Sequence, residues 1–212
     1  MLLLRLIHEG GPVMWIILIC SVMTLFVFLR KTFQFHREEI NVRELLRGLF
    51  NVLKRDGFVE AITLCDNTPG PAAKILGAAI IAYQRGDEDI SSAIDEAALE
   101  EIPKLESNLN FLATMGFVLP LIGFFGTVVG LIRAFEAVRI SEYLSSSANA
   151  GAVTMALITT AAALAAAIPC CIGYNYLLSR VNSITLDMEK AAFEITSFFE
   201  RRRKETAPQG DK

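Results

Sequence analysis

Three stretches of this chain carry no charged side chain: residues 10–29, 107–132 and 143–179. A helix crosses the hydrocarbon core of a bilayer in about 20 residues at 1.5 Å per residue, and each stretch reaches that length. Their lengths disfavour core helices of a water-soluble domain. The fold class read from this pattern is an all-α membrane protein with three transmembrane helices and a helical cytoplasmic domain. The second and third stretches outlast one crossing without room for two helices and a turn, so tilt or protrusion absorbs the excess. A net charge of −3 gives no basic surface for nucleic acid.

The charged remainder divides the chain. "MLLLRLIHEGGP" (an outer interfacial segment over 1–11) is broken by Gly10, Gly11 and Pro12 before a first crossing at 12–31. Arg30 and Lys31 follow that crossing where a cleaved signal peptide would have a small-residue site, so it reads as retained. Residues 32–106 form the cytoplasmic domain, 107–135 the second crossing, 136–150 a periplasmic loop and 151–179 the third crossing. A C-terminal cytoplasmic helix at 180–205 and a disordered tail at 206–212 complete the chain. Of the 20 Lys and Arg, 10 fall in 30–106 and 7 in 180–212, which places both on the cytoplasmic side and the N-terminus outside.

Within the domain, apolar residues at 42, 45, 46, 49, 50 and 53 mark a helix ended near Gly57, and "DNTPGP" marks a turn after a second, short helix. "AAKILGAAIIAYQRGD" reads as a third helix, stopped by Gly86. The spacing of Ile90, Ile94, Ala97, Leu105, Leu109 and Leu112 predicts one helix running from the domain into the second crossing. Val181, Ile184, Met188, Ala191, Ile195 and Phe198 keep a 3–4 spacing beyond the third crossing, and the basic "RRRK" that follows reads as a solvated helix end.

Small residues line the last two crossings. "LPLIGFFGTVVGLIRAF" carries Pro120, Gly123, Gly126, Thr127 and Gly130, and the third crossing carries Ala152, Ala156, Thr160, Ala163 and Ala167 on one face. Glycine is costly in a helix in water, but in lipid it lets backbones approach. These seams suit packing against each other or against neighbouring subunits. Thr127 lies about 10 Å and Thr160 about 15 Å below the outer boundary, so antiparallel helices hold both hydroxyls at similar depth. Each hydroxyl has two readings: a bond back to its own helix, or a polar patch in an apolar channel wall. Pro120 and Pro169 withhold an N–H from the carbonyls of Gly116 and Ala165, which then need other partners.

No ionisable residue lies at mid-depth, so in a conducting protein the titrating group must come from a partner. Cys20, Cys65, Cys170 and Cys171 show no metal or disulfide spacing and read as packing residues, while His8 and His36 read as interfacial. No Walker loop or GxSxG element points to an enzyme, and no cofactor is implied. A structural membrane scaffold is the main rival to a channel. A solute transporter is disfavoured by the lack of inverted repeats and of a charged mid-membrane site.

"LPLIGFFGTVVGLIRAF" and "MALITTAAALAAAIPCCIGYNYL" resemble the second- and third-helix motifs of the MotA/TolQ/ExbB proton-channel family. "GGPVMWIILICSVMTL" and "GFVEAITLCDNTPGPAAKILGAAIIAY" resemble its ExbB/TolQ branch. The resemblance implies a homopentamer in the bacterial inner membrane around an apolar pore. Within it would lie two ExbD/TolR-like single-span partner helices, each supplying a membrane aspartate, and the assembly would use the proton motive force to energise a TonB/TolA-like protein. Thr127 and Thr160 match the threonines that line the family's proton path, and Pro169 matches the proline of its "AIP" segment. The family's usual glutamate is replaced here by Met155, with Thr154 and Thr159 the nearest polar groups.

Overall fold

The computed structural model describes residues 11–38, 42–87, 89–140 and 146–206. The interfacial residues before Gly11, His8 among them, and the tail from Ala207 lie outside that set, as do residues 141–145 of the expected periplasmic loop. Among the described residues there are seven helices and no strand. They are α1 (Gly11–Glu38), α2 (Val42–Leu53), α3 (Phe58–Asn67), α4 (Pro71–Arg85), α5 (Ile90–Glu106), α6 (Leu109–Ile140) and α7 (Ser146–Thr206). Three helical stretches are long and apolar enough to cross a membrane. The chain divides into two compact units: residues 1–31 with 108–177, and residues 32–107 with 178–212.

In the first unit α1, α6 and α7 share one apolar core. Val13 and Ile17 meet Leu119, Ala163 and Ala167, with Cys20, Ile122 and Ala166 around them. Large side chains such as Trp15, Phe26, Phe117, Phe124 and Ile168 remain outward. That inversion suits lipid, where large apolar groups need no burial and small ones gain from contact. Pro120 and Pro169 stand inside α6 and α7 without ending either helix.

The second unit buries most of the apolar positions read from its sequence, with Val42, Phe50, Ile184 and Phe198 half-buried. Leu45, Leu46, Leu49 and Leu53 of α2 are buried, as are Val181, Met188, Ala191 and Ile195 of α7. Helix α4 opens with Pro71 in its first turn and closes on Gly86 in the left-handed conformation (φ +80°), as the sequence signals require. Asp89 caps α5 by accepting from the Ser92 N–H at 3.3 Å. Aromatic rings continue this core: Phe50 stacks on Phe198, and Tyr83 on Phe199 with centroids 4.1 Å apart.

Two expectations differ from the structure. The helix predicted to run unbroken from Ile90 into the second crossing stops at Glu106 and resumes at Leu109. Ser107 is extended and Asn108 takes φ +67°, a conformation asparagine tolerates better than most residues. The third crossing and the C-terminal helix lie on one helix, α7. "RRRK" is also more than a solvated end. Arg202 donates to the Leu53 carbonyl at 2.6 Å, pairs with Asp56 and covers the Phe58 ring, while Arg203 donates to the Asp87 carbonyl at 2.8 Å. The Leu53 carbonyl, which already accepts the Asp56 N–H at 3.2 Å, uses its second lone pair for the guanidinium.

Candidate functional site

Thr127, Thr159 and Thr160 lie along the line where α6 meets α7. Gly116, Gly123, Gly126 and Gly130 form the α6 side of that seam. A Cβ built on Gly123 would lie 2.6 Å from the Ala163 Cβ, and one on Gly130 would lie 2.6 Å from the Ala156 Cβ. One on Gly126 would lie 2.6 Å from the Thr159 hydroxyl oxygen, and one on Gly116 2.9 Å from the Cys171 sulfur. Residue numbers rise on one helix as they fall on the other, so the pair is antiparallel. The two small-residue seams thus pack against each other within one chain, with Ala156, Ala163 and Ala167 buried.

The threonines divide by environment. Thr160 donates its hydroxyl proton across the seam to the Gly123 carbonyl at 2.8 Å. That carbonyl is also the helical acceptor for the Thr127 N–H four residues on, so the two threonines share one acceptor layer. Thr127 turns its own hydroxyl to the Phe124 carbonyl at 2.6 Å and stays half-buried. Thr159 is fully buried beneath Gly126 and donates to the Ala156 carbonyl at 2.9 Å. Thr154 is exposed on a different face of α7.

These bonds fix a polarity. A hydroxyl has one proton to donate and two lone pairs. Thr127 and Thr160 have each committed the proton to a carbonyl, so what they offer a newcomer is acceptor capacity. The Gly116 and Ala165 carbonyls, which Pro120 and Pro169 cannot serve, have the same polarity. A proton donor is the complementary group.

Met155 closes one end of the seam. Its sulfur lies 3.7 Å from Arg133 Nη1, and its methyl fills the space over Gly11, where α1 begins at φ +64°. Sequence reasoning singled out Met155 but not Arg133 or Gly11. The signal was present for Arg133, which follows Gly130 by three residues and so continues the face of Gly123 and Gly126. Among the described residues no three His, Cys, Asp or Glu side chains gather as a metal site.

Among the described residues the chain is all-helical with three helices able to cross a membrane, and its α6–α7 seam is lined by glycines and hydroxyls, an arrangement that suits the channel and transporter class. Residues 68–190 match the MotA/TolQ/ExbB proton channel family, and the chain belongs to that family. It is 40% identical over 116 residues to the Tol-Pal system protein TolQ of Haemophilus influenzae, covering 55% of this chain and 51% of that one. It is 26% identical over 211 residues to the biopolymer transport protein ExbB of Neisseria meningitidis, covering 91% and 94%. A putative ExbB homolog of Methanothermobacter thermautotrophicus is 23% identical over 180 residues, covering 84% and 64%. The chain therefore spans about half the length of the TolQ relative and nearly all of the ExbB one.

Proposed function

We propose that this chain is the channel-forming subunit of an ion-driven motor in the bacterial inner membrane, with its N-terminus periplasmic and its C-terminus cytoplasmic. Five copies surround an ExbD/TolR-like single-span partner, whose membrane aspartate takes up and releases protons. The resulting motion energises a TonB/TolA-like protein that spans the periplasm, for outer-membrane transport or envelope maintenance. One elementary charge crossing 100 mV releases about 2.3 kcal/mol, so a few transfers suffice to drive a step.

The acceptor polarity of Thr127 and Thr160 carries this reading. A protonated aspartate has an O–H to donate to those oxygens, whereas the ionised form has only acceptors and gains nothing there. The patch therefore favours the neutral acid in the wall and its release where water can take the proton. The scaffold reading is weakened by the same geometry, because the small-residue seams that were to drive oligomerisation are already occupied within one chain.

The test is energised uptake in cells carrying Thr127→Val or Thr160→Val at normal protein levels. Loss of a hydrogen bond to the acid costs roughly 1–3 kcal/mol, which slows transfer about tenfold to a hundredfold. Full activity in both variants refutes the role.

A further inference from the structure

The seam that holds the threonines ends in a permanent charge. Arg133 continues the line of Gly123, Gly126 and Gly130, and its guanidinium rests on the Met155 sulfur, 3.7 Å away. A thioether is a weak acceptor and leaves the charge unneutralised. Among the described residues, the other element at this point is the start of α1 at Gly11, whose first turn carries no charged side chain. On α6 itself the nearest charged side chains are Glu136 and Arg139, both exposed.

We propose that Arg133, seated on Met155 at the periplasmic end of the seam, is an electrostatic gate that limits how readily cations reach the path. The proposal rests on the function given above, in which that seam borders the path. A fixed charge of this kind acts on local ion concentration, and low-dielectric walls focus its field. Arginine stays protonated throughout the ordinary pH range. The gate should therefore respond to ionic strength and be indifferent to pH. Where a carboxylate would titrate at position 155, this chain instead presents an apolar sulfur beneath a constant positive charge.

The complex purified from its native membrane, reconstituted in vesicles, provides the test through proton flux under an imposed potential. Arg133→Gln should raise flux about tenfold at low ionic strength. Most of that gain should vanish near 1 M salt, where screening acts within about 3 Å. Arg133→Lys keeps the charge and should match the parent. Met155→Glu reaches the same end without altering Arg133: the new carboxylate pairs with the guanidinium, stays ionised and cancels its field. It should raise flux comparably and add no pH step. Combining Met155→Glu with Arg133→Gln frees the carboxylate to titrate, and flux should then climb with pH through the carboxylate range.

A conducting parent whose Arg133→Gln and Met155→Glu variants match it at low salt overturns the gate alone. A gain of equal size at low and high salt marks a packing effect and also overturns it. A parent complex that passes no protons overturns the gate together with the function on which it rests.

Discussion

Gly126→Ala tests whether the α6–α7 seam is as tight as its geometry requires. The added methyl would lie 2.6 Å from the Thr159 hydroxyl oxygen, 3.0 Å from its Cβ and 3.4 Å from Val13 Cγ1. Comfortable heavy-atom contacts begin at about 3.5 Å, so the oxygen must retreat by roughly an ångström. Thr159 cannot turn away freely, because its hydroxyl is bonded to the Ala156 carbonyl and the residue is fully buried. Overpacking of this kind costs about 1–3 kcal/mol, and the better helix propensity of alanine returns up to about 1 kcal/mol. A net loss of about 1–2 kcal/mol follows from these two terms. Thermal or denaturant unfolding in detergent measures it. Thr159→Ala removes the clashing oxygen, so the double variant should recover part of the loss, with a coupling of about 0.5–2 kcal/mol. Gly151→Ala is the control on α7, since a Cβ there meets nothing within 4 Å. Equal stability for Gly126→Ala and Gly151→Ala, with no coupling to Thr159, would refute the tight seam.

Other expectations follow from the second unit. Arg202→Ala removes the donor to Leu53 and the cover of Phe58, and should destabilise the unit by about 1–2 kcal/mol in denaturant titrations; Arg201→Ala, an exposed neighbour, should not. Burial raises the Glu101 pKa, but hydrogen bonds from Lys104 and Lys74 outweigh it and leave the carboxyl below its ordinary 4.5. Its stabilisation is thus complete above 4.5 and is lost as pH falls through the lowered value, and Glu101→Gln should flatten that part of an acid-unfolding curve. Burial, with help from Asp66, pushes the Cys65 thiol up to about 11. Maleimide labelling at neutral pH should therefore leave Cys65 unmodified until the unit unfolds.

Much of the fold was legible because lipid imposes a coarse rule: a helix in its core must be long and free of charge. Runs without a charge are easily read, and all three became helices long enough to cross. Helix ends depend on finer balances. The break at Ser107 and Asn108 interrupts an apolar spacing that continues on both sides, and only the left-handed backbone of Asn108 marks it. At the other end of the third crossing, Arg180 marks where charge resumes, but a charged residue does not stop a helix, and α7 runs on to Thr206.

The candidate site was legible as composition and not as direction. Hydroxyls on a small-residue face are visible in the sequence, but where each proton goes depends on which carbonyl comes within reach. Thr159 and Thr160 are adjacent and chemically identical, yet one is sealed beneath Gly126 and the other bonds across to Gly123. One step along a helix turns a side chain by about 100°, which here separates a packing residue from an accessible one. Thr160 reaches Gly123 because neither Gly123 nor Ala163 holds the helices apart. The glycines that would be costly in water are thus what allow a hydroxyl to bond across helices, leaving its lone pairs to meet a proton donor.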